Sequence, residues 1–137
     1  MSDCVFCRIV MGEIPCAKLY ENERVLAFMD INPVATGHVL VIPKAHSSNI
    51  GAMSDCEVAA VASALKAVAP AVMKVTRAEG YNILNNCGAA AGQAVEHVHF
   101  HLIPRIHGDG RGYRWITTSA DPAQLARLAS EISKALL

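Results

Sequence analysis

The sequence predicts an α+β fold built around an antiparallel sheet. Between Ala17 and Ile42, short runs of β-branched and aromatic residues alternate with turn residues, which is the pattern of strands with short connections. Two later segments repeat apolar residues at intervals of three and four, which indicates helices. Because parallel neighbours need long crossovers, strands joined this closely should pair antiparallel.

The length and charge of the chain limit what it can bind. With 137 residues, it is expected to form one domain spanning positions 1–137. Twelve basic and twelve acidic residues cancel, which disfavours a nucleic-acid polymer as partner and favours a small ligand. The N-terminus shows no basic segment followed by an apolar one, and Lys66 and Pro70 interrupt the most apolar stretch, Val58 to Met73. We therefore expect a cytoplasmic protein with no membrane partner.

Three strands are predicted before the long helix. The first covers Lys18 to Tyr20 and the second covers Val25 to Phe28, with a polar turn between them. The third runs from His38 to Pro43 and follows turn residues that end at Gly37.

The long helix has a clear start signal. Ser54 and Glu57 form a capping-box pattern ahead of it. Pro70 should kink or split the helix, and Gly80 should close it. Its apolar positions are Val58, Val61, Leu65, Val68 and Val72.

A second helix is predicted at the end of the chain. Asp121 is its expected N-cap, Pro122 its first residue, and Gln124 lies in the capping-box position. Its apolar stripe consists of Leu125, Leu128, Ile132 and Leu136.

Three of the six histidines occur at alternate positions of one predicted strand, His97 to Ile103, which follows a strand predicted at Tyr81 to Asn85. Successive side chains of a strand point to opposite faces, so these three imidazoles should share one face. The other face then holds Val98, Phe100 and Leu102. Because neutral and charged imidazole are close in energy near neutral pH, the histidine face suits nucleophilic attack, proton transfer or metal binding.

The central histidine of the three is the best candidate nucleophile. A neutral imidazole attacks phosphorus well when its other ring nitrogen is held as a donor, and His99 has a histidine two residues away on each side. His101 is then placed to hydrogen-bond the attacked phosphate or to pass a proton. The glycine-rich loop from Gly88 to Gly92 leads into this strand and can bring backbone N–H groups against phosphate oxygens.

Cys4 and Cys7 are separated by two residues, a spacing shared by metal sites and redox pairs. A redox pair would normally follow a strand, for which there is no room before Cys4, so zinc is the favoured functional interpretation. Two thiolates are half of a site, and two small apolar residues in a helical turn remain the alternative. The total of five cysteines is odd and argues against a disulfide framework.

Two ordered blocks of the sequence resemble the histidine-triad (HIT) superfamily of nucleotide hydrolases and transferases. The later block is Gly92-Gln93-Ala94-Val95-Glu96-His97-Val98-His99-Phe100-His101, and the earlier one runs from Asp30-Ile31-Asn32-Pro33 to His46. The Cys-x-x-Cys and Ile103-Pro104-Arg105 are similar to those of short bacterial Hit proteins. The resemblance implies a HIT-like fold with about five antiparallel strands, one long helix, a C-terminal helix and a short N-terminal helix.

The resemblance implies a nucleotide hydrolase that works through a covalent intermediate. His99 would attack the α-phosphorus of a purine nucleoside phosphoramidate, phosphate ester or dinucleoside polyphosphate, and water would release the nucleotide. Val98 stands where the uridylyltransferase branch has proline, which favours hydrolysis over transfer. The implied catalytic residues are His38, Gln93, His99 and His101. The implied nucleotide-binding residues are Phe6, Ile9, Phe28, Asp30, Ile31, Leu40, Asn86, Gly92, Gln93, His99 and His101.

The resemblance also implies a structural zinc ion and a homodimer. The zinc ligands would be Cys4, Cys7, His46 and His97, a closed set with no position for a catalytic water. Ala94 stands where many members have serine or threonine, so help for the leaving group is expected to be weaker.

Two other functions stay open from the residues alone. Alternating histidines could form a catalytic zinc site from His97, His99 and either His38 or His101. The chain could also be a nucleotide-binding or partner protein with little turnover, as Ala94 hints. Specificity for the leaving group is expected near a C-terminal cluster formed by Arg111, Tyr113, Arg114 and Trp115.

Overall fold

The computed structural model describes residues 3–111 and 116–136. Within them it contains the predicted α+β arrangement of five antiparallel strands and three α-helices. In chain order the elements are α1 (Val5–Val10), β1 (Lys18–Glu21), β2 (Val25–Met29), β3 (Val39–Pro43), α2 (Asp55–Thr76), β4 (Gly80–Asn85), β5 (Phe100–Arg105) and α3 (Pro122–Ala135). The fold class predicted from the sequence is confirmed.

The sheet places β5 between two other strands. Its order is β1-β2-β3-β5-β4, and every neighbouring pair is antiparallel. His101 lies opposite Leu40 of β3 and Leu84 of β4. The last of the three alternating histidines is therefore fixed by hydrogen-bonded strands on both sides.

The two faces of the sheet bury different partners. One face packs on α2, and that core includes Val25, Val39, Val41, Val61, Val68, Val98 and Leu102. The other face packs on α1 through a second core of Phe6, Leu26, Phe28, Leu40 and Ile42. Val98 and Leu102 thus lie on the face predicted for them, and Val61 and Val68 pack against the chain's own sheet.

The long helix differs from the prediction at Pro70 and at its C-terminus. Pro70 lies inside one continuous helix, because Pro70 and Lys66, whose carbonyl loses its helical partner, are both exposed and water can satisfy the carbonyl. Gly80 does not close the helix. It ends at Thr76, Arg77 takes the left-handed conformation with φ 56°, and Gly80 begins β4.

By length and composition α2 is also apolar enough to cross a membrane. Its buried positions, which include Val61, Leu65 and Val68, lie in the core against the sheet. Core helices of this kind pass the same test, so the packing explains the apolar sequence of α2.

The strand that carries the histidines starts later than predicted. It begins at Phe100, so His97, in a bend, and His99 both precede it in irregular backbone. The ladders to β3 and β4 both end at Phe100, and the Val98 N–H donates to the Ser47 carbonyl, 2.7 Å away, outside the sheet. Competition from this loop contact explains the shorter strand.

The C-terminal helix has the predicted cap but leaves its stripe uncovered. The Asp121 side chain accepts from the Ala123 N–H, and Pro122 begins α3. The stripe residues Leu125, Leu128, Ile132 and Leu136 are between 46% and 74% exposed. The hydrophobic face of this helix is therefore available to another surface.

Candidate functional site

The His99 ring is buried, and one of its two nitrogens is hydrogen-bonded to the backbone. Its side chain is only 6% exposed, and its Nδ1 lies 2.7 Å from the His97 carbonyl oxygen. A carbonyl oxygen can only accept, so Nδ1 carries a proton, and in the neutral ring Nε2 therefore presents its lone pair. The structure thus gives His99 the protonation pattern of a neutral imidazole nucleophile.

A chain of hydrogen bonds fixes the tautomers of His38 and His101. The Val34 N–H donates to His38 Nδ1 over 3.0 Å, so the proton of neutral His38 is on Nε2. His38 Nε2 lies 2.9 Å from His101 Nδ1 and donates to it. His101 therefore carries its own proton on Nε2 and presents a donor, and its ring centroid lies 5.1 Å from that of His99.

Asp30 supports this chain from the neighbouring loop. Its Oδ2 is 3.5 Å from His38 Nε2, and its Oδ1 accepts from the Asn32 N–H at 2.8 Å. Gly37, just before His38, has φ +88°, and a Cβ there would lie 2.4 Å from Thr76 Cγ2. Glycine is therefore required for the backbone to approach α2 and deliver His38 to the site.

The burial of His101 predicts a pH dependence of stability. Burial, with the nearby His99 and His38, lowers the pKa of His101 from 6.5 to about 4, although Asp30 opposes the shift. Between these values the unfolded chain binds a proton that the folded chain does not, so stability should fall as the pH drops through this window. We expect His101 to contribute about 1 to 3 kcal/mol of this loss.

Chemical denaturation of the wild type and His101→Asn at a series of pH values measures this contribution. The variant should lose less stability than the wild type between about pH 6.5 and pH 4. Parallel losses in the two proteins would show that His101 does not titrate in this window.

A second cluster brings together Cys4, Cys7, His46 and His97, whose ligand atoms all lie within 4.8 Å of one another. Cys4 caps α1, and its Sγ accepts from the Cys7 N–H, so the first turn of the helix brings the two sulfurs together. His97 Nε2 donates to the Pro43 carbonyl over 2.8 Å, which leaves the lone pair of Nδ1 for the sulfurs.

The spacing of this cluster fits a tetrahedral metal site. His97 Nδ1 lies 3.5 Å from the Cys4 sulfur and 3.6 Å from the Cys7 sulfur, and His46 Nδ1 lies 3.3 Å from the latter. Bond lengths of about 2.3 Å to sulfur and about 2.0 Å to nitrogen place such ligands roughly 3.6 Å apart around zinc. The four residues can therefore hold one metal ion with little rearrangement.

The apolar residues expected around a base do not all lie together. Phe6, Phe28 and Leu40 are buried in the core beside α1, and Ile9 packs against them. The Phe6 ring contacts the His99 ring edge to face, with centroids 5.2 Å apart. Ile31 is 90% exposed and does not belong to this buried cluster.

The glycine-rich loop is closed by Gln93. Its Oε1 accepts from the Gly88 N–H at 2.7 Å, and its Nε2 donates to the carbonyls of Ser48 and Val95 at 2.8 and 3.0 Å. Both amide hydrogens are therefore bound to the protein. Asn86 lies beside the loop, since a Cβ at Gly92 would be 3.8 Å from its Nδ2.

Sequence reasoning missed Asn85. Its Nδ2 donates to the His99 carbonyl over 2.9 Å and so fixes the backbone that carries the candidate nucleophile. This hydrogen bond forms because Asn85 of β4 lies opposite Phe100 of β5. That strand register could not be obtained from one sequence. The adjacent Asn86 drew attention through its match to the family pattern.

The C-terminal cluster is only partly described. Tyr113, Arg114 and Trp115 lie outside the described residues. The Arg111 guanidinium donates to the Val34 carbonyl, next to the amide that fixes His38. Ala94 is exposed and borders a cavity of about 420 Å³ beside Cys4 and His46.

The geometry does not favour a catalytic zinc ion among the alternating histidines. Within residues 3–111 and 116–136, the possible metal clusters are the Cys4 group and a second group of Asp30, His38 and His101, and His99 belongs to neither. In the second group, His38 Nε2 carries a proton because Nδ1 accepts from Val34. Within this group His38 Nε2 already donates to His101 Nδ1 and lies 3.5 Å from Asp30 Oδ2, so neither His38 nitrogen has a lone pair left for a metal ion.

Comparisons with known proteins identify the family of the chain. A family model described as HIT domain matches residues 11–108. An adenosine 5'-monophosphoramidase of Schizosaccharomyces pombe is 43% identical over 134 residues, which cover 95% of this chain and 96% of that protein.

Two crystal structures extend the likeness to the fold. A member of the HIT family from Bacillus subtilis is 43% identical, with a TM-score of 0.94 and 98% of each chain covered. A Zn-bound histidine triad family protein from Mycobacterium smegmatis is 36% identical, with a TM-score of 0.77, and the match covers 98% of this chain and 99% of that one.

Proposed function

Because the chain belongs to the HIT domain family, we propose that it is a nucleotide hydrolase that cleaves at the α-phosphate of a purine nucleotide conjugate. The observation that carries this proposal is the hydrogen bond from His99 Nδ1 to the His97 carbonyl, which leaves Nε2 to attack, beside a His101 ring whose Nδ1 accepts from His38. The amidase activity in the name of the fission-yeast relative supports the same chemistry. Purine phosphoramidates, phosphate esters and dinucleoside polyphosphates are the candidate substrates.

In the first step, His99 Nε2 forms a bond to the α-phosphorus while the bond from phosphorus to the leaving group breaks. The imidazole becomes positively charged, and the His97 carbonyl, 2.7 Å from Nδ1, stabilises that charge. His101 Nε2–H donates to a phosphate oxygen, and the leaving group takes up a proton from solvent water, which the second step returns. The products are a nucleotidyl-histidine and the free amine, alcohol or nucleoside polyphosphate.

In the second step, water attacks phosphorus and the bond to His99 Nε2 breaks. The nucleoside monophosphate leaves, one proton is released, and His99 returns to its neutral form. His38 acts through His101: by donating to His101 Nδ1, it keeps the proton of His101 on Nε2, where it can be donated to the phosphate.

The nucleotide is expected to lie between the histidines and α1. Asp30 has carboxylate lone pairs left for ribose hydroxyls, and Phe6, Phe28 and Leu40 border the same region. The loop near Asn86 and Gly92 would meet the phosphate through its backbone. Contact with the base would cover Ile31, which is now exposed.

We also propose that the Cys4 cluster holds zinc in a structural role. Two sulfurs and two imidazole nitrogens are a common closed zinc set, and the observed distances fit it. Bound zinc would join α1 to the segments that carry His46 and His97, two residues from the nucleophile.

The substrate class can be tested through the leaving group. Ala94 has no hydroxyl to help a departing amine or alcohol, so the rate of wild type should depend steeply on the basicity of the leaving group. In a panel of adenosine phosphoramidates and diadenosine polyphosphates, Ala94→Ser should accelerate the slowest substrates by about 10-fold or more. Substrates with good leaving groups should change little.

Equal rates for wild type and Ala94→Ser across the panel would contradict the role assigned to position 94. Binding of these compounds without turnover of any of them would favour a nucleotide-binding protein instead.

A homodimer and a cytoplasmic location stay predictions. The exposed stripe of α3, Leu125, Leu128 and Ile132, and the exposed Tyr81 and Ile83 of the edge strand β4 support self-association.

A further inference from the structure

Both polar atoms of the Gln93 side chain form hydrogen bonds within the protein. Its Oε1 and its backbone N–H both bind Gly88, at 2.7 and 3.1 Å, which closes the glycine-rich loop as a ring. Its two amide hydrogens bind the carbonyls of Ser48 and Val95. Gln93 therefore has no donor left for a phosphate, and its role must lie in what it holds in place.

The contact with Ser48 belongs to a seam between two segments, 43–48 and 93–98. Three hydrogen bonds form this seam: His97 Nε2 to the Pro43 carbonyl, the Val98 N–H to the Ser47 carbonyl, and Gln93 Nε2 to the Ser48 carbonyl, at 2.8, 2.7 and 2.8 Å. Each segment also supplies one imidazole, His46 or His97, to the Cys4 cluster. A metal ion there would therefore cross-link the two sides of the seam.

The glycine-rich loop also contains two backbone hydrogen bonds of its own, from the Ala91 N–H to the Gly88 carbonyl and from the Gly92 N–H to the Ala89 carbonyl, at 3.1 and 3.0 Å. Gly88 and Gly92 have φ of +85° and +90°, and the three alanines between them form a short 3-10 turn and are exposed. Methyl groups in solvent contribute few packing contacts. The contacts that Gln93 makes with Gly88 are thus a main restraint on this loop.

We propose that Gln93 is a positioning residue that couples the metal centre to the phosphate-binding loop. This inference rests on the proposed function, namely zinc at the Cys4 cluster and phosphate at the loop. Zinc fixes His46 against His97, the fixed seam holds the Ser48 carbonyl, and Gln93 transmits that restraint to the Gly88 N–H. By linkage, zinc and a bound nucleoside monophosphate should strengthen each other's binding.

Amide exchange of the ¹⁵N-labelled full-length chain tests the coupling, because two N–H groups report on its two ends. The Val98 N–H reports on the seam, and the Gly88 N–H reports on the loop. In wild type, adding zinc to EDTA-treated protein should slow the exchange of both about 5-fold or more. In Gln93→Met, zinc should still slow Val98 but should no longer slow Gly88.

The matched variant Gln93→Glu separates the contact with the Gly88 N–H from the contacts with the carbonyls of Ser48 and Val95. Its carboxylate can accept from the Gly88 N–H but cannot donate to Ser48 or Val95. Gly88 should therefore keep more protection than in Gln93→Met, yet lose its response to zinc. Zinc should tighten AMP binding about 5-fold or more in wild type and change it less than twofold in either variant.

The outcomes distinguish this inference from the proposals beneath it. If Val98 responds to zinc in wild type but Gly88 does not, or if Gly88 responds equally in Gln93→Met, the coupling is wrong and the zinc site stands. If neither amide responds, the zinc site fails and the coupling fails with it. If AMP does not bind at all, the nucleotide site fails, while the exchange experiment still decides whether Gln93 links the metal to the loop.

Discussion

Replacing His99 by alanine is expected to lower turnover of an adenosine phosphoramidate by about 10³- to 10⁶-fold, the range found when a covalent nucleophile is removed. The buried ring has its Nδ1 tied to the His97 carbonyl, so the unused Nε2 is the atom that can attack. Binding of adenosine monophosphate should survive within a few fold, because Asp30 and the aromatic residues remain. A steady-state assay and a calorimetric titration measure the two effects.

His107→Ala is the matched control. His107 is exposed and lies outside the site, and the contact it makes with Glu79 comes from its backbone N–H. Its removal should leave turnover within about twofold of wild type, as expected for a surface position. Substantial turnover by His99→Ala would remove the covalent mechanism, whatever the behaviour of the control.

Removal of the zinc ion proposed at the Cys4 cluster is expected to lower the free energy of unfolding by about 3 to 5 kcal/mol. The ligands come from α1, from the loop after β3 and from the segment before β5, so an ion there ties distant parts of the chain together. Treatment with EDTA, or the substitution Cys7→Ser, should lower the melting temperature by about 10 °C. Thermal unfolding with and without added zinc measures this loss.

Cys87→Ser is the control for the loss of a thiol. Cys87 is exposed, as is Cys56, and neither belongs to the metal cluster. This variant should keep the melting temperature and the response to zinc.

At 25 °C, turnover by metal-free wild type should stay within about 10-fold of turnover by the zinc-bound protein, because the Cys4 cluster acts on the catalytic histidines only indirectly. Complete loss of activity with EDTA, restored by zinc before any change in stability, would instead indicate a catalytic metal.

Alternation and capping signals predicted the fold because they depend on neighbours in the sequence. The Ser54 and Glu57 capping box and the face shared by Val98 and Leu102 are present in the structure. Predictions failed where a distant contact decides the outcome. The ladder ends at Phe100 because Ser47, far away in the sequence, takes the Val98 N–H.

The site was predicted only in part, because contacts between residues distant in the sequence also decide the state of its side chains. The residue types of His97, His99 and His101 pointed to their chemistry, but their protonation depends on single acceptors and donors elsewhere in the chain. The His97 carbonyl fixes which nitrogen of His99 carries a proton. The Val34 N–H does the same for His38 and, through the bond between the two rings, for His101. The resemblance implied that Gln93 binds the nucleotide, and the structure shows both of its amide hydrogens bound to the carbonyls of Ser48 and Val95.

The stereochemical course at phosphorus tests the covalent role of His99 most directly. Two successive in-line displacements, first by His99 Nε2 and then by water, each invert phosphorus and together give net retention. A substrate whose α-phosphorus is made chiral with sulfur and oxygen isotopes should therefore yield a product of retained configuration. Net inversion would mean that water attacks the substrate directly, and it would contradict the nucleophilic role of His99.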